Sequence, residues 1–373
     1  MASTRMSRWG ADLYTGRKSY PIVQRRRWWY TLSGVIIVVS ALLLIFKGIT
    51  PSIDFRGGSE FIISGVSSTE QQPAIDAVHS VKPDEQVRVS VVGVASSSPS
   101  LRVQTSKLSS DQTTQAADAL SKAYDGANVS SQFIGPSWGA DVTNKAVRGL
   151  LVFLVLVSLV MTIYFRNWRM AVAALVALVH DMIITVGMYA GVGWEVSPAT
   201  VIGFLTILGY SIYDTVVVFD KVRENNARLL DQKRYTHAEL SNLALNQTLV
   251  RSINTSVVAL LPVSGILFIG AFLLGAGTLR DIALALFIGI IAGTFSSIFI
   301  ATPVEVSLRN REPAVAKHTR TVLDARAAAV EAGDLGEDGT VEVRVGAAVP
   351  GQHLGIAAQP KRRKGGRGAG RAS

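Results

Sequence analysis

The chain has 373 residues, of which 49% are hydrophobic and only 17% carry a charge. This composition, with a mean hydropathy of +0.33, excludes an ordinary soluble protein and indicates a polytopic membrane protein. The formal net charge of +10 does not indicate nucleic acid as the main ligand, because the basic residues flank the apolar segments and fill the C-terminal tail. The sequence contains no cysteine, which excludes disulfides, thiolate metal sites and a cysteine nucleophile.

Six apolar segments are long enough to form transmembrane helices. They are residues 28–47, 146–165, 169–191, 197–219, 250–274 and 278–302. The first segment resembles a signal peptide in its basic flank, but its length suits a bilayer and no small-residue cleavage pattern follows it. We therefore expect a retained anchor.

Basic residues predict the orientation of these spans. Residues 1–27 and the polar loop 220–249 are rich in arginine and lysine and are predicted to be cytoplasmic. Residues 303–373 are predicted to form a cytoplasmic, largely disordered basic tail with helical potential near 322–332. Its charge could contact anionic membrane lipids or ribosomal RNA. The expected arrangement is a multi-pass protein with both termini in the cytoplasm.

The polar stretch between the first two spans, residues 48–143, has the size of a domain. Alternating apolar residues predict strands at 60–66, 86–94, 101–105 and 129–134, and helical spacing predicts helices at 69–81 and 109–124, with a turn at 96–99. This β-α-β-β-α-β order is typical of a ferredoxin-like domain. The predicted fold is thus a six-helix membrane protein with an extracytoplasmic α+β domain between helices 1 and 2.

A carboxylate, Asp214, lies inside the span 197–219, about 10 Å from its cytoplasmic end. Such a group costs about 2.5–3.5 kcal/mol to insert and usually faces a partner or a water-filled pathway. Tyr210 lies one helical turn away, within reach of a hydrogen bond to it. We interpret Asp214 as part of an ion or proton relay; the alternative is a neutral carboxyl that joins helices structurally.

The span 169–191 carries a second polar pair, His180 and Asp181. A second buried carboxylate supports a polar pathway. For His180, a hydrogen bond to a neighbouring helix is favoured over a role in carrying protons. Metal binding is not expected, because the adjacent Asp181 points to another part of the helix.

The span 250–274 begins with a polar face formed by Arg251, Asn254 and Thr255. Arg251 is long enough to reach Asp214, although an arginine at this depth could also extend only to the membrane surface. On the span 278–302, small residues recur at every fourth position and predict close packing within this chain or against a partner. They are Ala285, Gly289, Gly293, Ser297 and Ala301.

The sequence contains no Gly-x4-Gly-Lys-Ser/Thr nucleotide-binding loop and no credible catalytic triad, so we expect neither an enzyme nor a cofactor. The remaining energy source is the transmembrane potential, worth about 2.3 kcal/mol per elementary charge per 100 mV.

Several segments closely resemble the SecF family, bacterial accessory subunits of the Sec translocon in the resistance-nodulation-division superfamily. They are residues 53–59 (IDFRGGS), 134–137 (IGPS), 180–181 (HD) with the apolar run that follows, 211–225 and 246–256. With the six-span layout, the resemblance covers about residues 28–305 and leaves out both tails.

The resemblance implies a partner, SecD, which is a homologous six-span protein, and a twelve-helix pair beside the SecYEG channel in the cytoplasmic membrane. SecA, YajC and YidC are further candidate partners. The pair would use the proton-motive force to complete the export of unfolded preproteins. In this family the residues that correspond to Asp214 and Arg251 are implicated in proton transport, and SecD supplies a further aspartate. Tyr213 stands where many relatives have asparagine.

These features favour a hypothesis in which protonation of Asp214 weakens its pairing with Arg251 and SecD and the helices move the outer domain. One alternative is a scaffold that stabilises SecD and the translocon without carrying protons. Another is half of a small-molecule or lipid exporter, although such exporters generally hold both halves in one chain. The coupling ion, proton or sodium, is left open.

Overall fold

The computed structural model describes residues 5–92, 99–134, 136–273 and 277–331. Its helices are α1 (Arg5–Tyr14), α2 (Arg26–Phe46), α3 (Ile53–Arg56), α4 (Gln72–Val81), α5 (Ser110–Ala123), α6 (Pro136–Phe165), α7 (Trp168–Val192), α8 (Pro198–Asn225), α9 (His237–Gly265), α10 (Gly277–Ser296), α11 (Thr302–Arg309) and α12 (Pro313–Glu331). Its strands are β1 (Thr50–Pro51), β2 (Gly58–Ser64), β3 (Arg88–Val92), β4 (Ser100–Thr105), β5 (Asn128–Ile134) and β6 (Glu195–Val196). Wider π-helical turns continue α9 over Ile266–Leu273 and α10 over Ser297–Ala301. A short 3-10 turn lies at Leu229–Asp231.

Within the described residues, six helices are long and apolar enough to cross a membrane: α2, α6, α7, α8, α9 and α10. Their outward faces are apolar; Ile45, Val155 and Ile163 are 75%, 67% and 66% exposed. A continuous apolar surface of this kind is unfavourable in water, whereas the hydrocarbon of a lipid bilayer covers it. The chain is a polytopic helical membrane protein.

The segment between α2 and α6 forms an α/β domain. Its antiparallel sheet has the order β3-β4-β2-β5, and α4 and α5 cover one face. Apolar residues alternate along the inner strands, so Phe61, Ile63 and Leu101 point under the helices and are fully buried. A capping box between Ser109 and Gln112 begins α5. Most of the predicted turn at 96–99 lies outside the described residues.

Two stretches differ from their sequence-based predictions. The polar stretch 220–249, predicted to be a loop, is largely helical, because α8 runs to Asn225 and α9 begins at His237. Part of the predicted disordered tail is also helical: α11 and α12 occupy most of 302–331. Arg326 of α12 binds both oxygens of Glu239, at 2.7 and 2.8 Å, and Val322 is fully buried. Residues 332–373 lie outside the described part of the chain.

The polar residues before α2 pack against α9. The amide side chains of Asn242 and Asn246 accept hydrogen bonds from the backbone N–H of Val23, at 3.0 Å, and of Tyr20, at 2.7 Å. Leu13 is fully buried in the same region. This contact fixes α9 at the end of the bundle opposite the α/β domain. We call the end of the helix bundle opposite the α/β domain the far end, and the end next to that domain the domain end.

The small residues of α10 allow it to approach α8 closely. A Cβ placed on Gly293 would lie 3.0 Å from Ser211 Cβ, and one on Gly289 would overlap the side chain of Ile207. One turn further, Thr215 Oγ1 and Ser297 Oγ are 2.9 Å apart. From Ile207–Gly289 to Ser211–Gly293 to Thr215–Ser297, the residue numbers rise by four on both helices. Helices α8 and α10 therefore lie side by side and run in the same direction. The predicted face of small residues therefore packs within this chain.

We expect Gly289→Ala to lower the free energy of unfolding by about 1–3 kcal/mol, because the added methyl group must displace Ile207 or separate α10 from α8. The thermal unfolding of the purified protein in detergent measures this change. The matched control is Gly209→Ala on α8, where no atom lies within 4 Å of the new Cβ. The control should be at least as stable as the parent, because alanine is the better helix former. Equal stability of the two variants would show that the packing tolerates a side chain at Gly289.

Candidate functional site

Asp181 of α7 is surrounded by hydrogen-bond donors. Its Oδ2 accepts from Ser211 Oγ of α8 at 2.6 Å and from Ser296 Oγ of α10 at 2.9 Å. Its Oδ1 lies 3.1 Å from Nδ1 of His180. The aspartate and both serines are fully buried. The two serine hydroxyls donate to the carboxyl group, and Nδ1 of His180 can donate to it in one of its tautomers.

Asp214 of α8 has a different environment. Its Oδ1 accepts one hydrogen bond, from Ser252 Oγ of α9 at 2.9 Å. Its Oδ2 is buried and has no hydrogen-bond partner among the described residues. An ionised carboxylate with one unsatisfied oxygen is costly in an apolar interior. Protonation of the carboxyl group would lower this cost.

The two carboxylates belong to one buried polar cluster. Ser211, which binds Asp181, lies one helical turn before Asp214 on α8. The hydroxyl of Ser297 also lies 3.4 Å from the backbone carbonyl of Ser211. We call this cluster the polar centre; its members are His180, Asp181, Ser211, Asp214, Thr215, Ser252, Ser296 and Ser297. Among the described residues each carboxylate has its own hydroxyl partners, Ser211 and Ser296 for Asp181 and Ser252 for Asp214, and no hydrogen bond joins the two sets.

His180 is buried beside Asp181, and its ring stacks against Phe295 with the ring centroids 5.9 Å apart. The expectation that Asp181 points away from it was wrong, because neighbouring side chains on a helix can still bend toward each other. Nε2 of His180 has no hydrogen-bond partner in the described structure. No group of three or more metal-ligating side chains occurs among the described residues.

The predicted polar face of α9 lies partly outside the polar centre. Arg251 and Asn254 are exposed, and Thr255 is half-buried. They line a cavity of about 790 Å³ toward the far end, together with residues of α1 and α8. No ion pair between Arg251 and Asp214 occurs in the part of the chain that the structure describes. Ser252, the residue after Arg251, bonds the carboxylate instead.

Tyr210 does not make the predicted hydrogen bond to Asp214. Its hydroxyl has no hydrogen-bond partner among the described residues, although it is buried. Three serines that do bind the carboxylates were not predicted: Ser211, Ser252 and Ser296. Ser211 binds Asp181 of α7, so its position three residues before Asp214 on α8 does not identify that contact. The other two depend on how α9 and α10 pack against α7 and α8.

We expect Asp181→Leu to destabilise the protein more than Asp181→Asn does. Leucine leaves the donors of His180, Ser211 and Ser296 without their acceptor, at a cost of about 1–3 kcal/mol for each group left unpaired, whereas asparagine retains an acceptor oxygen. Thermal unfolding in detergent measures the difference, with Asp141→Leu at an exposed position of α6 as the control. If both Asp181 variants unfold at the same temperature, the donors are not held by that carboxylate.

The family model described as "Protein export membrane protein SecD/SecF, C-terminal" matches residues 115–311. The protein translocase subunit SecF of Streptomyces coelicolor is 42% identical over 371 residues, covering 99% of this chain and 98% of its own. SecF of Mycobacterium tuberculosis is 44% identical over 88% of this chain and 76% of its own.

A crystal structure of SecDF from a Thermus species, described as a translocon-associated membrane protein, is similar with a TM-score of 0.67 and 30% identity. The similarity covers 79% of this chain and 39% of the SecDF chain. Together with the full-length match to SecF, these findings show that the chain belongs to the SecF branch of the SecD/SecF family of protein export membrane proteins.

Proposed function

We propose that this chain pairs with a SecD subunit in the bacterial cytoplasmic membrane and that the pair uses the proton-motive force to complete preprotein export through SecYEG. The observation that carries the proposal is the environment of Asp214, a buried carboxylate in a membrane-spanning helix with one unsatisfied oxygen. A buried group of this kind is a functional candidate, since it would otherwise only reduce stability.

The SecDF relatives support SecD as the partner. This chain covers about 40% of the SecDF chain, so the rest of that longer protein has no counterpart here. Arg251 and Asn254 are exposed on α9, and Tyr213 is 54% exposed on α8. Lipid tails cannot satisfy charged or amide side chains, so a second set of helices is the better cover for this face. SecA, YajC and YidC are candidate neighbours of the complex through the family resemblance alone.

Proton uptake would change which contacts Asp214 favours. In the ionised state Oδ2 requires a donor, which a SecD side chain or a reoriented Arg251 could supply. After protonation this oxygen can donate a hydrogen bond, and the attraction to a cation is lost. Moving one elementary charge through the membrane potential supplies about 2.3 kcal/mol per 100 mV, enough to shift a two-state packing equilibrium. Asp181, bound by Ser211 of α8 and Ser296 of α10, would keep α7, α8 and α10 together.

The α/β domain would lie outside the cytoplasm and handle the emerging polypeptide. Its strand order, β3-β4-β2-β5, matches a ferredoxin-like arrangement. The basic residues between 5 and 27 and the polar stretch 220–249 both lie toward the far end, which suits the cytoplasmic side. In this orientation the cavity near Arg251 would open toward the cytoplasm.

The scaffold alternative rests on the observation that Arg251 and Asp214 do not pair within this chain. In that case the polar centre only joins helices, and SecD carries the protons.

We expect Asp214→Asn to abolish the acceleration of preprotein release that a proton gradient causes, because the amide cannot exchange a proton. The measurement uses energised membrane vesicles that contain SecD, this chain and SecYEG, with and without the gradient. Asp118→Asn, at an exposed position of α5, is the matched control and should respond as the parent does. A gradient response retained in Asp214→Asn would replace the coupling proposal with the scaffold.

A further inference from the structure

The polar face of the domain's sheet turns toward the membrane helices. In the strand register, Arg88 stands opposite Gln104, Gln104 opposite Glu60, and Glu60 opposite Gln132, so one row of polar residues crosses all four strands. Gln104 Nε2 donates to Glu60 Oε2 at 3.1 Å, and Arg102 Nε lies 3.7 Å from the same oxygen. The apolar residues lie on the opposite face under α4 and α5. This row, which we call the polar row, is therefore not covered by α4 or α5, and it faces the ends of the membrane helices.

The polar row contacts the connection between α7 and α8. Arg88 Nη1 of β3 lies 3.1 Å from Glu195 Oε1 of β6. The chain that leaves α2 is held at the same place, because β1 pairs with β6. A cavity of about 320 Å³ separates the rest of the row from the helix ends, and its lining includes Glu60, Arg102, Gln132, Glu195, Ser197 and Asp281.

The helix residues at this contact belong to the two helices that meet at the polar centre. Ser197 caps the start of α8 by accepting from the backbone N–H of Thr200, and its hydroxyl donates to Asp281 Oδ2 of α10 at 2.9 Å. Asp214 lies about 25 Å further along α8. Because a helix moves largely as a rigid rod, a displacement near Asp214 also displaces the first turn of α8. A change in the packing of α8 against α10 would therefore reach this contact.

The contact has the character of a separable interface. The side chains that meet across the cavity are charged or amide groups. The core of the domain lies under α4 and α5, and the apolar contact beside the cavity is made by Phe55 of α3 against the cluster at the helix ends that includes Val196 and Phe204. Polar interfaces between domains permit relative motion, whereas large apolar interfaces hold domains fixed. Partly exposed ion pairs form and separate at small cost in free energy.

We propose that the polar row and the domain ends of α8 and α10 form a releasable joint, in which the Arg88–Glu195 pair transmits movement of the helices to the α/β domain. This inference rests on the proposed proton-coupled function. It assigns Arg88 and Glu195 as positioning residues that act through the domain and touch neither the proton nor a substrate.

Charge exchange across the pair tests the joint. In the vesicle assay, Arg88→Glu and Glu195→Arg should each lose the gradient-dependent acceleration of release, because like charges then face each other at the joint. The double variant, in which the charges are exchanged, should recover it. Lys122→Glu, a charge reversal at an exposed position of α5, is the control and should respond as the parent does. Gradient-independent, ATP-driven release and thermal unfolding, measured on every variant, separate coupling from folding.

Each outcome is decisive. Loss in both single variants with recovery in the double variant, at unchanged gradient-independent release, supports the joint. A normal gradient response in either single variant, or failure of the double variant to recover, overturns it. If Asp214→Asn removes the response but Arg88→Glu does not, the proposed function stands and only the joint fails. If Asp214→Asn retains the response, the proposed function itself fails.

Discussion

Carboxylates inside an apolar helix bundle must find hydrogen-bond donors, and this constraint determines how the central helices pack. The donors here are serines, whose short side chains require the helix backbones to come close together. The glycines of α10 allow that approach, since Gly293 faces Ser211 and Gly289 faces Ile207. The close packing of the helices and their buried hydrogen bonds therefore depend on each other. The small residues of α10 let the hydroxyl groups reach the carboxylates, and these hydrogen bonds in turn keep the helices in contact.

The two carboxylates of the polar centre are unequal, and the inequality suggests separate roles. Both oxygens of Asp181 have hydrogen-bond partners, whereas Asp214 has one donor and one unsatisfied oxygen. A carboxylate whose oxygens all have hydrogen-bond partners gains little stability from a change in protonation. A carboxylate with an unsatisfied oxygen is stabilised by a proton or by a new hydrogen-bond donor. Helix α8 contacts both groups and extends to the joint beneath the α/β domain. In the proposed coupling, α8 is therefore the element through which a change at Asp214 would reach that domain.

Much of the architecture could be predicted from local patterns. Hydropathy identified the six spans, and the two-residue alternation of Val87, Val89 and Val91 identified a strand, because both patterns follow from burial along one chain segment. The depth of Asp214 in its span marked it for the same reason. Contacts between segments could not be predicted: Ser252 of α9 rather than Arg251 bonds Asp214, and Ser296 of α10 bonds Asp181. Composition indicated helical potential near 322–332, within α12, but did not indicate that α11 and α12 pack against the rest of the protein.

Infrared difference spectroscopy of the membrane-embedded protein with its SecD partner, recorded as the pH changes, shows whether Asp214 is the carboxyl that exchanges a proton. A protonated carboxyl has a C=O stretching band that its ionised form lacks. Our account predicts that the pH-dependent band disappears in Asp214→Asn and remains in Asp181→Asn. A band that survives in Asp214→Asn and disappears in Asp181→Asn would contradict it and transfer the proton to the other carboxylate.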